Sequence, residues 1–200
     1  MNPGNVDISK LPDFGYRHHN LIWWGVLGFI AIEGSILVML LASYLYGMAH
    51  SLQWPPTAAA PDLLIGTINT AILLLSGWPN HKYKAAAQVE NLPGARFWLW
   101  VTVIFGLVFI TVRIFEFINL NTRWDDHFYG SIIWAILGFH TLHILSDVID
   151  SMVMAVFIRK GPVHRKRFDD LTSNAGYWYF VVLAWIPIYL TIYVIPFFRH

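Results

Sequence analysis

Hydrophobic positions run along this chain in long blocks, and polar residues gather between them. An α-helix rises about 1.5 Å per residue, so a block of about 20 apolar residues crosses a bilayer. Five blocks meet that length: Leu21–Tyr46, Ala58–Pro79, Phe97–Leu120, Phe128–Ile158 and Tyr177–Phe198. The first contains one charge, Glu33. The second has Asp62 near its start and Pro79 at its exit. The third holds Arg113 and Glu116. The fourth is long enough to project beyond the hydrocarbon, and the fifth is uncharged. The pattern predicts an all-α membrane protein, residues 1–200 forming a single bundle of five transmembrane helices. The first 20 residues are polar and the first block is too long for a signal h-region, so no cleavable leader is expected.

Composition sharpens this reading. Hydrophobic residues make up 56% of the 200 positions and charged residues only 12%, about half the usual share of a soluble domain. A chain this short could not hide that much apolar surface in a water-soluble core. A soluble enzyme, a nucleic-acid binder and a disordered chain are therefore excluded. With no cysteine, disulfides, thiolate metal sites and Cys nucleophiles are excluded too.

Basic residues predict orientation. Lys10, Arg17, Lys82, Lys84, Arg96, Arg159, Lys160, Arg165, Lys166 and Arg167 fall on one side of the bundle. Only Arg123 and Arg199 fall on the other, and Arg113 lies within a span. The positive-inside rule puts the N-terminus in the cytoplasm and the C-terminus outside. Trp23, Trp24, Trp54, Trp78, Trp98, Trp124 and Trp178 lie near span ends, where interfacial anchors belong.

An ionisable group at the bilayer centre costs about 2.5–3.5 kcal/mol on insertion scales, so each one poses a question. Glu33 reads either as a proton-linked or lipid-contacting carboxylate, or as a hydrogen-bonding partner for a neighbouring helix. Arg113 and Glu116, three apart, share a helix face and are expected to form a buried ion pair. His140, His143, Asp147 and Asp150 form one stripe on span 4. The stripe could bind a metal, but one helix rarely completes a coordination sphere, and no Glu-x-x-His occurs in the chain. The alternative is an inter-helix network, including pairing with Glu33, Arg113 or Glu116. Ser131 and Ala135, four apart, suggest a close-packing seam on the same span.

Intrinsic haem is not expected. A di-haem anchor needs axial His on at least two helices, and away from the loops and termini only span 4 carries them. The phosphate-loop, dinucleotide, nucleophile-elbow and His-Glu-x-x-His motifs are missing as well. The residues thus describe a five-helix bundle with buried polar groups and no self-sufficient catalytic centre. A metal- or proton-linked transporter using the span 4 stripe stays open at this level.

Several strings resemble the subunit III family of the haem–copper (cytochrome c) oxidases. Tyr129-Gly130-Ser131 followed by Gly138-Phe139-His140-Thr141-Leu142-His143 is similar to the family's Tyr-Gly-Ser and Gly-Phe-His-Gly-Leu-His at the same offset, with Asp126 three residues before the Tyr. Trp54-Pro55-Pro56-Thr57, Asn69-Thr70, Leu73-Leu74, Ser76-Gly77, Ala175-Gly176-Tyr177-Trp178-Tyr179 and Trp185 match further family strings in order. Glu33 and Glu116 stand at the positions of the family's buried acids. There are departures. Phe180-Val181-Val182-Leu183-Ala184 replaces a longer family segment and loses its His and Asp. Arg113 stands where Gln is usual. Asp147 and Asp150 are unusual additions.

The resemblance implies the shorter, five-helix bacterial form and an accessory role in the plasma membrane. It implies no catalytic residue, haem, copper or other metal in this chain. Haem and copper would reside in partner subunits, the catalytic subunit I foremost, and other oxidase subunits and membrane phospholipids would be partners, with no nucleic acid. The resemblance leaves the partner open between a cytochrome c oxidase, a quinol oxidase and a related nitric oxide reductase. Glu33, Glu116, His140 and His143 would form lipid- or proton-linked buried polar groups, and Arg159 suits a lipid headgroup by its chemistry.

Overall fold

In a computed structural model, residues 21–55, 61–159 and 165–198 are described. Lys10, Arg17, Pro56, Thr57, Lys160 and Arg199 of the sequence reading lie outside them, as do the side chains of Arg165 and Lys166. The described residues form helices and connecting turns, with no strand among them. The helices are α1 (Leu21–His50), α2 (Leu63–Gln88), α3 (Leu92–Ile118), α4 (Phe128–Phe157) and α5 (Arg165–Tyr189). A π turn, Leu190–Val194, continues α5 into a last turn, α6 (Ile195–Phe198). Among the described residues, five helices are long and apolar enough to cross a membrane.

Local chemistry sets the helix starts. Asp62 accepts from the Leu64 N–H at 2.8 Å, Asn91 from the Gly94 N–H at 3.2 Å and His127 Nδ1 from the Gly130 N–H at 3.1 Å. Each satisfies a backbone donor that a first turn leaves open. The α2–α3 turn is equally defined. The Asn91 N–H bonds the Ala86 carbonyl and the Glu90 N–H that of Ala87, with Glu90 left-handed at φ 56°. This is a Schellman closure with glutamate at the position that favours glycine.

The helices run further than the apolar blocks. α2 continues through Pro79 to Gln88, α3 begins five residues before Phe97, and α5 begins twelve before Tyr177. Hydropathy marks only the part of a helix in hydrocarbon. Beyond it, polar turns such as Asn80–Lys84 continue the same hydrogen-bond ladder. Trp178 consequently falls inside α5, 2% exposed in the core, and is not an interfacial anchor. Ser131 and Ala135 face outward, and Ser131 Oγ donates to the Trp124 carbonyl. The close approach lies instead at Gly106 of α3, where a Cβ would stand 2.4 Å from Val148 of α4 and 2.9 Å from Trp178 of α5.

Among the described residues, α2 packs on α3 and α5, α3 on α4, and α1 mainly on α4 and α5. The main core gathers Leu73, Val103, Phe109, Ile136, Val148 and Trp185. A second cluster, around Tyr83, Leu99 and Leu171, lies where the α2–α3 turn meets the end of α4. Arg96 and Arg167 donate to the Ile158 and Phe157 carbonyls, placing positive charge at the C-terminal end of α4. Trp54 packs edge-on against Tyr44 and Tyr129, which ties the segment after α1 to the start of α4.

Candidate functional site

Three polar clusters link the helices. The first joins α1, α4 and α5. Glu33 Oε2 accepts from the Tyr177 hydroxyl at 2.5 Å, and Glu33 Oε1 lies 3.0 Å from His143 Nε2. His143 Nδ1 is 2.6 Å from the Phe139 carbonyl. A carbonyl only accepts, so Nδ1 carries the hydrogen. Nε2 and Glu33 then face each other across a single shared proton, held on nitrogen as an ion pair or on oxygen as a neutral pair. The arrangement can hold one exchangeable proton inside the bundle.

The second cluster joins α2, α3 and the π turn. Glu116 Oε1 lies 2.8 Å from Arg113 Nη1 and accepts from the Tyr193 hydroxyl, and Oε2 accepts from Asn69 at 2.9 Å. The Arg113 guanidinium is fully buried, with its carbon 4.2 Å from the Trp185 ring centre and 4.9 Å from that of Phe109. Among the described residues its Nε and Nη2 have no hydrogen-bond partner, and ring faces take the place of oxygen acceptors. His140 packs 4.8 Å from the same Trp185 ring and donates from Nε2 to the Val181 carbonyl at 3.1 Å. Trp185 in turn donates to Thr70 at 2.8 Å.

The third cluster lies between α4 and α5. Asn174 Nδ2 donates to Asp147 Oδ1 at 3.2 Å and to Asp150 Oδ2 at 2.9 Å, with Ser151 Oγ at 3.3 Å. The span 4 stripe therefore divides among three neighbourhoods. His140 joins Trp185, His143 joins Glu33, and the two aspartates meet at Asn174. Among the described residues no group of three or more His, Asp or Glu side chains is placed to hold a metal ion. Arg159 lies exposed in the turn after α4, apart from the clusters.

Sequence reasoning did not find Tyr177, Tyr193, Asn69 or Asn174 as partners. Tyr193 reaches Glu116 from the π turn that follows Pro187, and proline removes a backbone donor from its helix. Asn69 and Asn174 are buried amides whose partners depend on how each helix is rotated about its axis, so the residue pattern alone carried no signal for them.

Five spanning helices joined by buried polar side chains define a multi-pass α-helical membrane protein. A family model described as "Cytochrome c oxidase subunit III" matches residues 15–196. Relatives named cytochrome c oxidase subunit 3 include those of Thermostichus vulcanus, 26% identical over 92% of this chain and 92% of that one, and Synechocystis sp., 27% identical over 96% of this chain and 84% of that one. The Anopheles gambiae relative is 30% identical over 85% and 68%. The chain belongs to the cytochrome c oxidase subunit III family.

Proposed function

We propose that the chain is a structural subunit, without haem or copper of its own, of a terminal oxidase in a bacterial plasma membrane, with its N-terminus in the cytoplasm. It packs against the haem–copper catalytic subunit I, retains phospholipid and supports proton uptake by that subunit. Membership of the family supports the assembly. The placement of basic residues supports the orientation. The observation that carries the functional part is the Glu33 carboxylate, bridging Tyr177 and His143 from three helices. Such a pair holds a proton between two atoms already within hydrogen-bond distance. Arg159 is exposed and offers a phosphate-binding guanidinium.

The test is Glu33→Ala in the assembled oxidase. Assembly and initial turnover should remain close to wild type, while activity over many cycles and bound phospholipid both fall. Unchanged activity over many cycles with unchanged lipid would contradict the role given to Glu33.

A further inference from the structure

The surroundings of the Glu33–His143 pair differ at its two ends. At one end, aromatic rings cap it. The Phe139 ring meets the His143 ring edge-on, 4.3 Å centre to centre, and the Phe180 ring lies 5.8 Å from that of Tyr177. Phe139 stands one turn before His143 on α4, and Phe180 one turn after Tyr177 on α5. Both rings therefore cap the pair from the end where α4 begins and α5 finishes. A phenylalanine ring has no hydrogen to pass on.

At the other end lies a cleft of about 680 Å³ between α1, α4 and α5. Tyr177 lines it, and the Tyr177 hydroxyl donates to Glu33 Oε2. The polar lining continues away from Tyr177. Asn174 stands one turn before it on α5, and Asp147 stands one turn after His143 on α4. Residues so spaced have Cβ atoms about 5–6 Å apart. Asn174 Nδ2 donates both to Asp147 Oδ1 at 3.2 Å and to Asp150 Oδ2 at 2.9 Å. Asp147 is buried, whereas Asp150 is exposed. Met154 and Asp170, also in the lining, lie within about two turns of the α4–α5 connection. Acids are thus stepped along the cleft from an exposed position to a buried one, a turn away from the phenol that holds Glu33.

Each of these groups can pass a proton. A carboxylate takes one up and its acid form returns it, and a phenol both donates and accepts. The cleft has room for waters, about 30 Å³ each, between the side chains. The step at Tyr177 balances without a further reactant. Its hydrogen moves to Glu33 Oε2 as a proton from the cleft binds the phenol oxygen, and the reverse step empties the pair.

We propose that the proton of the Glu33–His143 pair exchanges with the end of the bundle where α4 meets α5, through Tyr177 and by way of Asp147 and Asp150. The inference rests on the reading of that pair as a proton-holding group, and gives the pair a side of the membrane, cytoplasmic in the proposed orientation.

The test times deuterium exchange in the purified complex by infrared spectroscopy. The bands to follow are those that Glu33→Gln abolishes, and their shift after mixing with deuterium oxide reports exchange of the pair's proton. Tyr177→Phe and Asp147→Asn should each slow it about a hundredfold, the lower end of what a positioned acid or base adds to a proton transfer. Asp150→Asn should slow it too, and Asp150→Glu should restore it, which a packing role would not require. Asp150 is exposed, so its variants decide the matter even if Asp147→Asn fails to assemble. Phe139→Leu, at the capped end, should leave the rate unaltered. A wild-type pair that does not exchange would overturn the proton-holding reading and this path with it. Wild-type exchange that Tyr177→Phe and Asp150→Asn leave unaltered, or that Phe139→Leu slows as much as they do, would overturn the path alone.

Discussion

Glu116 takes three donors at two oxygens: Arg113, Asn69 and Tyr193. The pair is buried on every side, so its parts are not separable. Removing one partner of a buried pair costs about 3–5 kcal/mol, because the remaining charge loses its compensation. Glu116→Ala should therefore sharply lower the thermal unfolding midpoint in detergent. Arg113→Leu combined with Glu116→Leu should cost much less, since no charge is left behind. Equal loss from the single and double variants would show that the pair acts through packing alone. The spacing of Arg113 and Glu116 made their contact legible in sequence. Tyr193 and Asn69 were not legible, because the rotation of each helix about its axis decides which polar side chains meet, and hydropathy carries no rotation.

Helices were readable from sequence and their ends were not. Apolar runs locate the membrane-crossing part of each helix, but α5 extends twelve residues before Tyr177 on a polar stretch with no hydropathy signal. That extension places Trp178 in the core and Asn174 beside the aspartates. Among the glycines that packing holds close, Gly130 and Gly106 differ in what they meet. At Gly130 a Cβ would stand 2.1 Å from the Arg123 backbone oxygen, and at Gly106 it would meet the side chains of Val148 and Trp178. Side chains can yield where a backbone carbonyl held in a tight turn cannot. Overpacking typically costs about 1–3 kcal/mol, so Gly130→Ala should reduce stability more than Gly106→Ala when unfolding midpoints are compared. The reverse order would show that the α3–α4–α5 contact is the stiffer of the two.

Across the whole molecule, α4 and α5 form the centre and α1 stands at one side. Half of the most apolar window of α4 is buried within the chain, against about a tenth of that of α1. So exposed an apolar helix suits a protein whose neighbours are lipid and other subunits. The sequence strings that carry the family resemblance now have physical reasons. Trp54 packs on Tyr44 and Tyr129, Gly130 admits the Arg123 carbonyl, and His143 faces Glu33. In the proposed function this chain serves an oxidase and holds no redox centre of its own. The most direct measurement is purification of the tagged chain in mild detergent, with subunit identification and a reduced-minus-oxidised spectrum. A haem–copper catalytic subunit should co-purify, and the haem signal should disappear when that subunit is stripped away. A haem spectrum that stays with the isolated chain, or purification with no haem–copper partner, would contradict the claim.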